Sequence, residues 1–208
     1  RMGHDHRLCP RCSTADHGTC SACRRHRLLV VAPNGDALCK ACYEQGEIAC
    51  SSCGNPMPAG RGDACEPCYW TRACRKRIII GQAGITTKAL REAFGEFGEW
   101  LIRTTGPHKA ALKINHFFSF FLEIDQAWSR IPSYSELLNH FGAEGLRRVR
   151  LPMRWLHEEQ GVEPDNQAKK IDSEKRRIQA CLSSMPSASL SDQVLQAYWL
   201  QLETRIEA

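Results

Sequence analysis

A chain of 208 residues, 42% of them hydrophobic and with a mean hydropathy of -0.42, is long enough to bury a core and has the composition of one or two small globular domains. It contains no apolar run of roughly 18 residues and no charged-then-apolar leader, so neither a membrane span nor a secretory signal is expected. The formal charge of +5 is uneven: 12 Lys and Arg stand against 7 Asp and Glu up to Ile80, and 16 against 16 beyond it. A basic excess of this size gives a mild bias toward a polyanionic partner such as nucleic acid; the expected setting is cytoplasmic and nucleoid-associated.

The basic part is also the cysteine-rich part. Eleven of the 12 cysteines lie between Cys9 and Cys74, and ten of these form C-x-x-C pairs: Cys9/Cys12, Cys20/Cys23, Cys39/Cys42, Cys50/Cys53 and Cys65/Cys68. Two cysteines three residues apart on a tight turn aim both sulfurs at one point, and two such turns complete a tetrahedral zinc site. Pairs so close in sequence are poor disulfide staples, and nothing here points to an oxidising compartment.

The gaps between pairs are 7, 15, 7 and 11 residues, and they allow more than one pairing. In one scheme Cys20, Cys23, Cys39 and Cys42 hold one ion, and Cys50, Cys53, Cys65 and Cys68 hold a second. The 15-residue gap suits a zinc ribbon, with Arg27–Val31 as a strand, Pro33-Asn34-Gly35-Asp36 as a turn and Ala37-Leu38 as the return strand. Pairing across the 7-residue gaps leaves Cys65/Cys68 without partners, and an interleaved cross-brace of the last four pairs is the third arrangement.

Gly35–Tyr43 and Gly62–Tyr69 read as two copies of a closing half. His6–Cys12 reads as another whose opening pair would precede residue 1. With Arg1 ahead of Met2, this predicts a piece of a longer array. Taken alone, Cys9 and Cys12 could recruit His4, His6 or His17 for a third zinc. Cys74 and Cys181 are expected to be no ligands, and neither has the base that a catalytic thiolate needs.

From Thr86 the apolar spacing becomes helical. Leu90, Phe94, Phe97 and Leu101 form one stripe behind Thr86/Thr87 as N-cap and before Gly106-Pro107. Pro107 opens a second helix, striped by Ala110, Ile114, Phe117, Phe121, Ile124 and Trp128 and widened by Ala111, Phe118 and Leu122. Ser133 caps a short helix to about His140 that Gly142 ends. A further segment turns Leu146, Val149, Met153 and Leu156 inward, with Arg147, Arg150, Arg154 and His157 on a neighbouring face. Gly161–Gln167 is a linker, and helices follow around Ile171–Leu182 and from about Ser189. The predicted architecture is a small zinc-ribbon, hairpin-rich region at 1–76, an all-α helical bundle at 84–162, and a helical extension or the start of a further domain at 163–208.

The residues from Leu90 to Gly161, especially Phe97-Gly98-Glu99-Trp100-Leu101 and Ala110 to Asp125, resemble the helical core-binding domain of tyrosine-recombinase-type integrases. The resemblance implies helices that clamp one face of duplex DNA beside other recombination proteins. It carries over no cleavage, because the family's catalytic arginines, His-x-x-Arg motif and nucleophilic tyrosine belong to a domain this chain lacks. Tyr43, Tyr69, Tyr134 and Tyr198 have no such setting.

As a DNA-binding module, the chain would lay Arg72, Arg75, Lys76 and Arg77 on phosphates, with Lys109, Lys113, Arg147, Arg150 and Arg154 as a second surface. The alternative is a zinc-finger scaffold presenting Trp70, Leu28 or Ile78-Ile79-Ile80 to a protein. No phosphate-cradling glycine motif and no H-E-x-x-H occurs, and a four-cysteine site leaves no open position for water, so no enzyme activity is expected of this chain alone and no small-molecule substrate is evident.

Overall fold

The computed structural model describes residues 17–184 and 190–207, and the chain divides into two compact units, 1–74 and 75–208. The first unit is built from short strands: β1 (His17–Thr19), β2 (His26–Val31), β3 (Ala37–Cys39), a one-turn helix α1 (Lys40–Gln45), β4 (Glu47–Ala49), β5 (Pro56–Pro58) and a 3-10 turn at Ala59–Arg61. Strands β1, β2 and β3 form one antiparallel sheet in that order, and β4 and β5 form a second. The β2–β3 turn follows the sequence reading. Gly35 takes a φ of 88°, Ala32 N–H donates to the Asp36 carbonyl at 2.8 Å, and the Asn34 amide clasps the Asp36 carboxylate at 2.7 Å.

Helix α2 (Glu66–Gly84) starts at the last cysteine pair and runs into the second unit. Ile78-Ile79-Ile80, the apolar run that the alternative reading would present to a protein, is therefore helical. Ile78 is buried while Ile79 and Ile80 stay exposed.

The second unit continues with α3 (Lys88–Thr105), α4 (Pro107–Trp128), α5 (Tyr134–Arg148), α6 (Arg150–Gln160), α7 (Asn166–Ser184) and α8 (Leu190–Glu207). Its core is the expected stripe pair. Leu90, Phe94, Phe97 and Leu101 of α3 and Ala110, Ile114, Phe117, Phe121 and Ile124 of α4 are buried, with the Phe97 ring 5.2 Å from Phe121 and 5.7 Å from Trp155 of α6. Gly81 lets α2 sit against α3: a Cβ there would lie 2.5 Å from the Phe94 ring.

Two helix starts are capped from a distance. Thr87 takes the N-cap position of α3, but its side chain accepts no bond there; instead Asp125, near the end of α4, accepts from Thr86 N–H at 2.8 Å, the Thr86 hydroxyl at 2.7 Å and Thr87 N–H at 3.1 Å. Gly142 (φ 66°) kinks α5 where the sequence predicts its end, and helix resumes because Asp172 of α7 accepts from Ala143 N–H at 3.2 Å. Ser133 caps α5 as expected, in a reciprocal capping box with Glu136. Among the described residues no helix is long and apolar enough to cross a membrane.

Candidate metal centre

Each centre is assembled from the same two parts. A knuckle forms the tip of a hairpin, Cys20–Cys23 between β1 and β2 and Cys50–Cys53 between β4 and β5. The closing pair comes from a helical turn: Cys39 is the N-cap of α1 and Cys42 lies within it, while Cys65 and Cys68 open α2. A second knuckle, as the ribbon reading has it, is thus replaced by a helix start. A helix start turns unpaired N–H groups outward and suits thiolates.

The sulfurs of Cys20, Cys23, Cys39 and Cys42 lie within 4.8 Å of one another, and so do those of Cys50, Cys53, Cys65 and Cys68. Cys23 and Cys39 are 3.8 Å apart, and Cys53 and Cys65 are 3.7 Å apart. A tetrahedron with Zn–S bonds of about 2.3 Å has edges of about 3.8 Å. Both groups therefore fit a zinc ion, and the first of the three pairing schemes is the one that brings cysteines together. Cys74 and Cys181 belong to neither group. Cys9, Cys12, His4 and His6, proposed for a third ion, lie outside the described residues; His17 begins β1, and its buried Nδ1 has no hydrogen-bond partner among the described residues.

The two knuckles are copies thirty residues apart. Cys20 N–H donates to the Arg25 carbonyl at 3.0 Å and Arg24 N–H to the Cys20 carbonyl at 2.9 Å; Cys50 with Asn55 and Gly54 with Cys50 repeat both bonds at 2.9 Å. Ser21 to Ala37 and Ser51 to Asp63 are a third matched pair at 2.9 Å. Each knuckle needs one residue in the left-handed region. The second uses Gly54 (φ 73°), whereas the first places Arg24 there at φ 61°, a conformation that costs a non-glycine residue about 1 kcal/mol.

The electrostatics of the thiols call for a cation. Burial works against ionisation of Cys20, but N–H donors of Cys23, Cys39 and Ala22 prevail and lower it to about 6. Cys50 is likewise lowered to about 6, by the N–H groups of Cys65, Ser52 and Cys53. Burial pushes Cys42 up to about 12 despite the Gly60 N–H, and the neighbouring thiols Cys65 and Cys53 push Cys68 to about 12. One thiol per centre ionises easily and another strongly resists, so four thiolates require the positive charge of a metal.

The first centre, with all four cysteines buried, is sealed by the second module. Gly60 N–H donates to Cys42 Sγ at 3.2 Å, and Ala59 N–H holds the Gly46 carbonyl at 2.9 Å. A Cβ on Gly60 would lie 2.6, 2.8 and 2.9 Å from the sulfurs of Cys39, Cys23 and Cys42. Gly60 is absent from the sequence reading; its only sign was a pair of small residues, Ala59-Gly60, in a loop between cysteine pairs.

The basic residues assigned to DNA fall into two groups. Arg72 pairs with Asp63 at 2.9 Å, Arg75 with Glu99 at 2.8 Å, Arg147 with Glu144 at 3.9 Å and Arg154 with Glu158 at 2.6 Å, and Arg77 donates to the Ala111 carbonyl. Lys76, Lys109, Lys113 and Arg150 are exposed and form no ion pair among the described residues. Arg147, Arg150, Arg154 and His157 line one groove together with Leu146, Met153 and Lys169 of α7. No family model, no curated protein and no solved structure matches this chain.

Proposed function

We propose that this chain is a zinc-stabilised DNA-binding module, the non-catalytic part or an accessory factor of an integrase-like mobile-element protein. The observation that carries the reading is the sorting of its cations. Most arginines of the DNA-binding set are engaged by the protein's own carboxylates, but Lys76, Lys109, Lys113 and Arg150 remain exposed without such partners among the described residues. Lys109 and Lys113 are one helical turn apart at exposed positions of α4, flanking the stripe of buried Ala110, Ile114 and Phe117. Uncompensated cations at that spacing can follow a phosphate backbone without reading sequence.

The zinc ions would act as structural metal. Four cysteines fill a tetrahedral shell and leave no place for water or substrate, so the module holds a surface rather than performing chemistry. Any strand cleavage would belong to a catalytic domain outside these residues.

A second reading is favoured by one observation: Ile79, Ile80 and Leu112 are 65%, 64% and 61% exposed. Apolar side chains of this size at the surface suit a protein partner. An electrophoretic shift of the zinc-loaded chain on random duplex DNA at two salt concentrations separates the readings. Retention that falls steeply with salt is expected. No retention at low salt, with both zinc ions counted in place, would move the function to the protein-interaction scaffold.

A further inference from the structure

The first zinc knuckle carries a cluster of charge that its twin lacks. Arg24, Arg25, His26 and Arg27 follow Cys23 directly and are all exposed, and none of the three arginines forms an ion pair among the described residues. By contrast, the other cations described in this unit, Lys40, Arg61 and Arg72, each have a carboxylate within 4.0 Å. We infer that Arg24, Arg25 and Arg27 form a contact site for nucleic-acid phosphates at the tip and edge of the first zinc hairpin, an inference that rests on the DNA-binding reading above.

The internal repeat serves as a control for what the fold requires. At the same three places the second knuckle has Gly54, Asn55 and Met57, and it closes with the same backbone hydrogen bonds beside an equivalent group of four cysteines. Zinc folding therefore does not demand the arginines. Neutralising the negative charge of a zinc tetrathiolate does not demand them either, since the second centre carries the same charge without them. Arg24 even occupies a left-handed conformation that its counterpart gives to glycine. A strained, charged residue kept where an unstrained neutral one folds equally well points to a role outside the fold.

The geometry suits a phosphate chain. Arg25 and Arg27 are two positions apart along extended backbone, which puts them on one face about 7 Å from each other. Across the β1–β2 pair Arg27 stands opposite Gly18, so no partner side chain covers it there. Guanidinium groups with free donors bind phosphate oxygens in a forked geometry that lysine does not reproduce.

The sister module supplies the variant that tests this. The triple substitution R24G/R25N/R27M transplants the residues of the second knuckle into the first, and zinc counting confirms that both centres still load. Binding of the zinc-loaded chain to a fluorescent random-sequence duplex is then followed by anisotropy over a range of salt. The slope of log affinity against log salt should become shallower by about 2 to 3, one phosphate contact per arginine lost, while R25K/R27K should keep most of the slope. An unchanged slope in the triple variant, with the wild type binding, overturns this site and leaves the DNA-binding reading standing. A wild type that fails to bind at low salt overturns both. Equal weakening of binding to polyglutamate would give the cluster to carboxylate partners and overturn its assignment to phosphate.

Discussion

Gly60 touches the first metal centre without being one of its ligands, and its position shows how a residue outside the cysteine pattern can decide zinc affinity. Its N–H holds Cys42 Sγ, and three sulfurs crowd the place where a side chain would begin. Replacing Gly60 with Ala forces either the 3-10 turn or the sulfur tetrahedron to shift. Loss of a group that orients a metal ligand typically weakens binding by about 10- to 100-fold. Competition with a chromophoric chelator should therefore find one zinc of unchanged affinity, at Cys50/Cys53/Cys65/Cys68, and one released at lower chelator concentration. Two ions of wild-type affinity would show that the turn relaxes at no cost. The cysteines were legible because metal chemistry imposes their spacing. Gly60 was not, because its role comes from the docking of one module's turn on the other's metal site, and no local spacing encodes that.

At the scale of elements, α3 and α4 were readable from their apolar periodicity, which a buried helical face imposes whatever the tertiary details. Their capping was not, since Asp125 reaches the start of α3 from a position 38 or 39 residues later in the chain. Helix α2 was also hidden. Its buried stripe of Cys74, Ile78 and Gly81 includes a cysteine and a glycine and runs beside the exposed Ile79 and Ile80, so apolar periodicity does not mark it. Asp125 gives the sharpest test at this level. Its burial raises the carboxyl, but bonds from Thr87 and Thr86 outweigh that and lower it to about 2. A carboxyl depressed in the folded state contributes stability above its unfolded value near 4, and that contribution disappears as pH falls toward 2. Asp125→Asn should thus lower the urea midpoint at pH 7 by the equivalent of about 1 to 2 kcal/mol, with the gap to wild type narrowing between pH 4 and pH 2. A gap of the same size at pH 7 and pH 2.5 would mean that packing, not the carboxylate charge, is what Asn loses.

For the whole molecule, the two units differ in what fills their interiors. Cysteines dominate the buried residues of the first, joined by small residues such as Ala32, Ala59 and Ala64 and by Met57. The second buries Phe94, Phe97, Phe121, Trp155 and a set of leucines and isoleucines around them. Short hairpins cannot stabilise themselves by apolar burial at this size, and a structural zinc typically supplies about 10 to 16 kcal/mol of apparent free energy to such a domain. Removing the metal should therefore separate the units in stability. Hydrogen exchange read by mass spectrometry on the chelated full chain should show full loss of protection in peptides from residues 17 to 65, while those from α3 and α4 keep the protection they have in the zinc-loaded chain. The first turns of α2 should exchange with the zinc region, because Cys65 and Cys68 anchor them, and its last turns should stay protected where Gly81 packs on Phe94. Retained protection across 17–65 would mean the hairpins hold without zinc. Loss of protection in α3 and α4 would mean that the aromatic core depends on the metal after all.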